Sequence, residues 1–232
     1  MQPRAPWQTP VRDRRASDGP RHTAQGASRA ECLEEAGVLF TPEQVSPDDV
    51  AALRLECDVE KKSLREILPP RGITLRLSAL VPFSRWITPR QESRRFDARF
   101  FLAAAPRGVH ASHDTRETVA SDWLTPREAL ARATRQEIVL VPPTYRTVQL
   151  LAQAASVDEA LALTPTHRVP HEPRVAFTND GAVVVLLSDD PSHGTDELPI
   201  ARGEPVDPTT HLATRFTYRD GSWEPGRVAG DS

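Results

Sequence analysis

Residues Ala30 to Val38 read AECLEEAGV. Glu31, Glu34 and Glu35 stand three and four residues apart, so on a helix they share one face. Like charges at that spacing repel by roughly 0.2–0.5 kcal/mol per pair. Two readings are open: a solvated face, since Glu is a good helix former, or carboxylates gathered around a hard divalent cation, which points to phosphate chemistry. Cys32, Leu33, Ala36 and Val38 give the same turn an apolar side. Gly37 is placed to end the helix in a left-handed cap.

This stretch resembles the second half of the Nudix box, G-x5-E-x7-R-E-U-x-E-E-x-G-U with U apolar. Glu31, Glu34 and Glu35 match the three motif carboxylates, and Cys32 and Val38 the apolar positions. The front half departs from the pattern: Ala30 stands at the Arg position, His22 at the upstream Glu and Ala16 at the leading Gly. Arg29 points about 100° away around a helix and does not simply replace the motif Arg. Some branches carry insertions between the box halves, so Gly19 or Gly26 could belong to a rearranged loop.

A second resemblance runs through FSRWITPRQESRRFDARFFLA (Phe83 to Ala103), ETVASDWLTPREAL and EIVLVPPTYRT. These segments, in this order, are similar to the Nudix branch that contains the peroxisomal acyl-coenzyme A diphosphatases and their bacterial relatives. The resemblance implies an α/β/α sandwich with a mixed sheet and a metal-dependent hydrolase of a nucleoside diphosphate derivative, coenzyme A or acyl-coenzyme A being one such substrate. It implies Mg²⁺ or Mn²⁺ on Glu31, Glu34 and Glu35. It puts Glu34 in a catalytic role, together with a later loop carboxylate, for which Glu117 is the candidate; an ordinary exposed loop Glu is the other reading of Glu117.

Composition narrows the field independently. The chain of 232 residues, 38% hydrophobic, is long enough for one generous domain with an appendage. A net charge of −3 leaves no broad basic field for nucleic acid. Lys61 and Lys62 are the only lysines, and the excess of Arg, Ala and Pro has the look of GC-rich coding. With only Cys32 and Cys57, reduced thiols are the simpler expectation. No apolar run approaches the roughly 18 residues of a membrane span, and the expected location is cytoplasmic. Whether the chain forms a homodimer is left open.

Residues 1–26 mix Pro, Arg, Gln, Ser and Asp with little periodicity and are expected to be disordered or diverged. The resemblance implies strands and a Pro-Gly-Gly turn there, and none is visible, so the Nudix fold is expected to be diverged or N-terminally incomplete. Residues 27–163 are assigned to the Nudix domain and 164–232 to a β-rich extension. Within the domain, Ser46-Pro47 starts a helix, and a further helical run takes in Val59 to Leu68 and stops at Pro69-Pro70. Ile73 to Leu80 alternates as a strand, and Arg99 to Ala104 reads as a central strand buried on both faces. Thr125-Pro126-Arg127-Glu128 is a capping box, Thr144 to Ala155 a helix, and Ser156 with Glu159 caps a last short one. In the extension, Ala182 to Leu187 and Thr214 to Tyr218 are strands, the second turning through Asp220-Gly221 to Ser222-Trp223.

Alternation places Arg95, Asp97 and Arg99 on one face of a strand. An internal ion pair about Asp97 is favoured, leaving Arg95 or Arg99 for a substrate phosphate. Trp86 and Trp123 read as core or rim aromatics. His110 and His113 lack a third ligand, and Ser188 to His193 reads as a turn. A second function stays open: a degenerate Nudix domain that binds a ligand or a protein without cleaving it, or an inactive truncated relative. The altered front half of the box favours that reading; the three carboxylates favour the enzyme.

Overall fold

The structure, a computed structural model, describes Leu33 and residues 37–92, 95–106, 122–163, 170–195 and 198–228. These divide between two compact units. One holds 37–81, 101–106 and 122–123 together with Leu33; the other holds the described parts of 82–100 and 124–228.

In the first of these, Gly37 adopts φ 65° and its N–H donates to Leu33 O at 3.0 Å, the left-handed cap expected at that glycine. Helix α1 (Pro47–Asp58) begins where Ser46 Oγ accepts the Asp49 N–H at 3.1 Å, with Pro47 at the position that needs no donor. Lys61, at φ 56°, breaks the run before the short helix α2 (Leu64–Ile67). The helical run read across Val59 to Leu68 is therefore interrupted. Leu33, Leu39, Leu53, Cys57, Leu64, Ile67 and Leu68 form the core of this unit, each large side chain worth about 1.5–3 kcal/mol of burial.

The strand expected from Ile73 to Leu80 is absent, for a clear reason. Ile73 and Leu75 do pack on the core, so their alternation marks a buried face. Among the described residues no strand partners them: Arg76 N–H reaches Phe40 O at 2.8 Å, and Thr74 is held by the Glu43 side chain. Residues Leu77–Ala79 then wind into a 3₁₀ turn. A period of two reports a face, and a ladder needs a second chain as well.

The other unit begins with most of β1 (Val81–Ile87) and the first part of β2 (Asp97–Leu102), strands that pair with each other. Among the described residues β2 has no second neighbour, and its residues run from exposed to half-buried. The expectation of a central strand buried on both faces is corrected accordingly. Helix α3 (Pro126–Thr134) starts at Thr125, whose Oγ1 accepts the Glu128 N–H at 3.2 Å. Helix α4 (Pro142–Leu151) starts earlier than the sequence suggested, because Pro142 and Pro143 occupy the first turn where missing donors cost nothing. Helix α5 (Val157–Ala162) is capped by Ser156.

Five antiparallel strands follow: β3 (Arg174–Phe177), β4 (Val183–Leu186), β5 (Glu204–Pro205), β6 (Arg215–Arg219) and β7 (Ser222–Arg227), in the order β3-β4-β6-β7-β5. The β6–β7 turn carries Asp220 at φ 48° and Gly221 at φ 84°, the positive pair that an Asp-Gly hairpin requires. Val185 and Phe216 join Trp86, Leu130, Tyr145 and Trp223 in one core, while Val184 and Leu186 face Ala176 and Ile200 on the other side. The sheet is thus buried on both faces. Arg215 and Thr217 lie on the second face, opposite Leu186 and Val184.

Candidate functional site

Glu31, Glu34, Glu35 and Glu117 lie outside the described residues, as do His110 and His113. Among the described residues no group of three His, Cys, Asp or Glu could hold a metal ion. Arg95 and Arg99 are described, and the site is built around the β1–β2 hairpin that carries them.

Asp97 opens β2 and faces Arg85 across the ladder, taking a bidentate pair from Arg85 Nε at 2.7 Å and Nη2 at 2.6 Å. The partner expected from sequence was Arg95 or Arg99; the cross-strand neighbour is nearer than residues two apart on one strand, whose side chains diverge. The Arg85 hydrogen bonds hold the Asp97 carboxyl below the usual carboxylate range, with the Arg99 charge adding to the effect. Arg99 itself is exposed, with no hydrogen bond or ion pair to another described residue.

Arg95 is drawn elsewhere. Its Nε donates to Thr88 O at 3.0 Å and its Nη2 to Glu172 Oε1 at 2.5 Å. Arg90 Nε donates to the same Glu172 oxygen at 3.0 Å. These two guanidinium groups hold the Glu172 carboxyl below its ordinary value, Arg90 first. The segment bearing Glu172 is tied to β1: Ile87 N–H donates to His171 O and His171 N–H to Arg85 O, each at 2.8 Å, and the Trp86 and His171 rings stack 4.5 Å apart. Trp86 is buried core, as expected, while Trp123 is 68% exposed.

Glu172 and Arg90 were missed by the sequence reading. Arg90 follows the Trp-Ile-Thr-Pro segment directly and carried a signal in that resemblance, but nothing around His171-Glu172-Pro173 marks the carboxylate. The Ser188 to His193 turn was read correctly as a turn, yet its acids do more. Asp190 carries the buried Arg215, Asp189 pairs with Arg146 at 2.6 Å, and His193 Nε2 lies 2.9 Å from Glu172 O.

Away from the hairpin, a cleft of about 340 Å³ is lined among others by Thr134, Gln136, Tyr145, Trp223 and Glu224. Burial pushes the Tyr145 phenol up to about 12, so it stays neutral there. Glu224 is the only charged residue of the lining, which makes this cleft a poor place for phosphate.

The helices, antiparallel strands and motif order define an α/β protein of the Nudix type. A family model described as the NUDT19 Nudix domain matches residues 7–151, well over half of the chain, and the chain belongs to that family. It is 33% identical over 183 residues to the acyl-coenzyme A diphosphatase NUDT19 of Homo sapiens, covering 69% of this chain and 48% of that protein. The Xenopus laevis protein of the same name is 28% identical with the same coverage. The chain thus spans about half the length of the curated relatives it matches. A solved Nudix hydrolase from Alicyclobacillus acidocaldarius is similar at 26% identity and a TM-score of 0.49, over 58% of this chain and 63% of that one. No helix among the described residues is long and apolar enough to cross a membrane.

Proposed function

We propose that this chain is a Nudix pyrophosphohydrolase that hydrolyses the diphosphate of a coenzyme A-type nucleotide, coenzyme A or an acyl-coenzyme A. The observation that carries the reading is the family match over 7–151, a span that contains three carboxylates at Nudix spacing, Arg99 on β2 and Arg95 just before that strand. Two relatives are named acyl-coenzyme A diphosphatase, which suggests the substrate class.

Glu31, Glu34 and Glu35 would hold Mg²⁺ or Mn²⁺, since three carboxylates are the hard oxygen donors such ions prefer. When bound, the ion neutralises phosphate charge and acidifies the attacking water. Glu117 would take the proton of that water as general base. Arg99, exposed and without a described partner, would be available to a phosphate of the substrate, whose negative oxygens a guanidinium matches. A chain with only two cysteines, Cys32 and Cys57, fits a reducing compartment such as the cytoplasm.

One observation favours a second reading. Ala30, His22 and Ala16 stand where the motif has Arg, Glu and Gly, so the domain could bind its nucleotide without cleaving it. Product release from coenzyme A, acyl-coenzyme A and other nucleoside diphosphate derivatives separates the two. The hydrolase reading expects turnover that requires Mg²⁺ or Mn²⁺ and falls by about 10²–10⁴-fold in Glu34→Gln and Glu117→Gln. Folded protein that binds but never turns over any of these compounds would establish the second reading instead.

A further inference from the structure

The hairpin loop holds two cations on one carboxylate. Arg90 Nε and Arg95 Nη2 both donate to Glu172 Oε1, and Arg95 Nε is pinned on Thr88 O. Two positive charges meet one negative, so one is left uncompensated. The Arg90 side chain is 81% exposed, and its two terminal amino groups have no partner among the described residues.

Glu172 does not sit on a loose segment. The backbone of His171 bridges to β1 on both sides, its ring stacks on Trp86, and Glu172 O lies against His193 Nε2. Exposed ion pairs contribute about 0.2–1 kcal/mol at most, so stability gives little reason for so much scaffolding. A carboxylate that presets two guanidinium groups lowers the ordering cost of binding an anion, and Arg presents donors in a fork that fits phosphate oxygens.

We propose that Arg90 and Arg95, set side by side by Glu172 as a positioning residue, bind a phosphate monoester of the nucleotide, the 3′-phosphate of coenzyme A. This rests on the substrate class proposed above. Within that class the motif carboxylates would hold a cation that matches the diphosphate, whereas the 3′-phosphate is left without a counter-charge. A monoester carries nearly two charges at neutral pH and three terminal oxygens, which suits a fork with one net positive charge. It makes Arg90 and Arg95 specificity-determining residues.

Calorimetric titration of the purified chain with adenosine 3′,5′-bisphosphate and with adenosine 5′-monophosphate tests binding without needing turnover. The proposal expects the bisphosphate to bind about tenfold or more tightly. That preference should vanish in Arg90→Ala and Arg95→Ala, weaken in Glu172→Gln and return in Glu172→Asp. In turnover, the KM advantage of coenzyme A over 3′-dephospho-coenzyme A should shrink in the same variants. Equal binding of both probes by the wild type, or a preference that survives Arg90→Ala and Arg95→Ala together, would overturn it. A clear bisphosphate preference without any turnover would defeat the hydrolase reading and leave this assignment standing.

Discussion

Arg215 with Asp190 and Arg85 with Asp97 are the same chemical pair in opposite surroundings. In the five-stranded sheet, the side chains of Arg215 and Asp190 are 2% and 0% exposed, and the guanidinium also donates to Ala201 O and Ser192 Oγ. On the β1–β2 hairpin, Arg85 and Asp97 are 39% and 44% exposed. Water competes freely for the second pair and hardly at all for the first. Burial makes the inner pair part of the fold, whereas exposure leaves the hairpin arginines able to exchange a carboxylate for a ligand.

The sharpest way to break this contrast is to remove one partner of each pair. Arg215→Ala would strand Asp190 in the core and is expected to cost about 3–5 kcal/mol in urea unfolding. Gly203→Ala attacks the same network from the side. Gly203 has φ 86°, and an added Cβ would come within 2.6 Å of Arg227 O and 2.7 Å of Arg215 Cδ. A loss of about 1–3 kcal/mol by the same assay is expected. Thr125→Ala, which removes a helix cap exposed on the surface, should cost about 1 kcal/mol. Arg85→Ala should change unfolding by no more than about 1 kcal/mol, and less at high salt.

Acid sharpens the comparison within the other unit. Hydrogen bonds from Thr41 and Thr74 lower the Glu43 carboxyl to about 2 from 4.5. A depressed folded-state value means the contribution is present above the unfolded value and is lost as pH falls from about 4.5 toward 2. Thermal unfolding of wild type and Glu43→Gln should therefore differ at pH 6 and converge near pH 2. A difference that persists at low pH would show that the Glu43 hydrogen bonds act through something other than its charge.

What could be read from sequence was local. Ser46-Pro47, Thr125 with Glu128, Gly37 and Asp220-Gly221 announce their structures because cap and turn partners lie within four residues. Ile73 to Leu80 misled because alternation describes a face and says nothing about a partner strand. The start of α4 was set two residues late because Pro142-Pro143 can open a helix as well as end an apolar run. Glu172 was beyond reach, since its arginines are 77 and 82 residues away. The same holds for Gln149, which clamps α4 to the loop before β6 through Pro208 O, His211 O and the Ala213 N–H. The carboxylates proposed as metal ligands, Glu31, Glu34 and Glu35, were read only through family spacing counted from Gly37.

The central claim is that an arginine–carboxylate pair serves the fold where it is buried, at Arg215 and Asp190, and a phosphate ligand where it is exposed, at Arg95 and Glu172. Parallel measurement of unfolding free energy and coenzyme A KM for Arg215→Ala and Arg95→Ala tests it most directly. The account predicts that Arg95→Ala keeps wild-type stability to within about 1 kcal/mol and raises KM roughly tenfold with kcat little changed, while Arg215→Ala loses stability. An Arg95→Ala protein that unfolds as readily as Arg215→Ala, with KM unmoved, would contradict it.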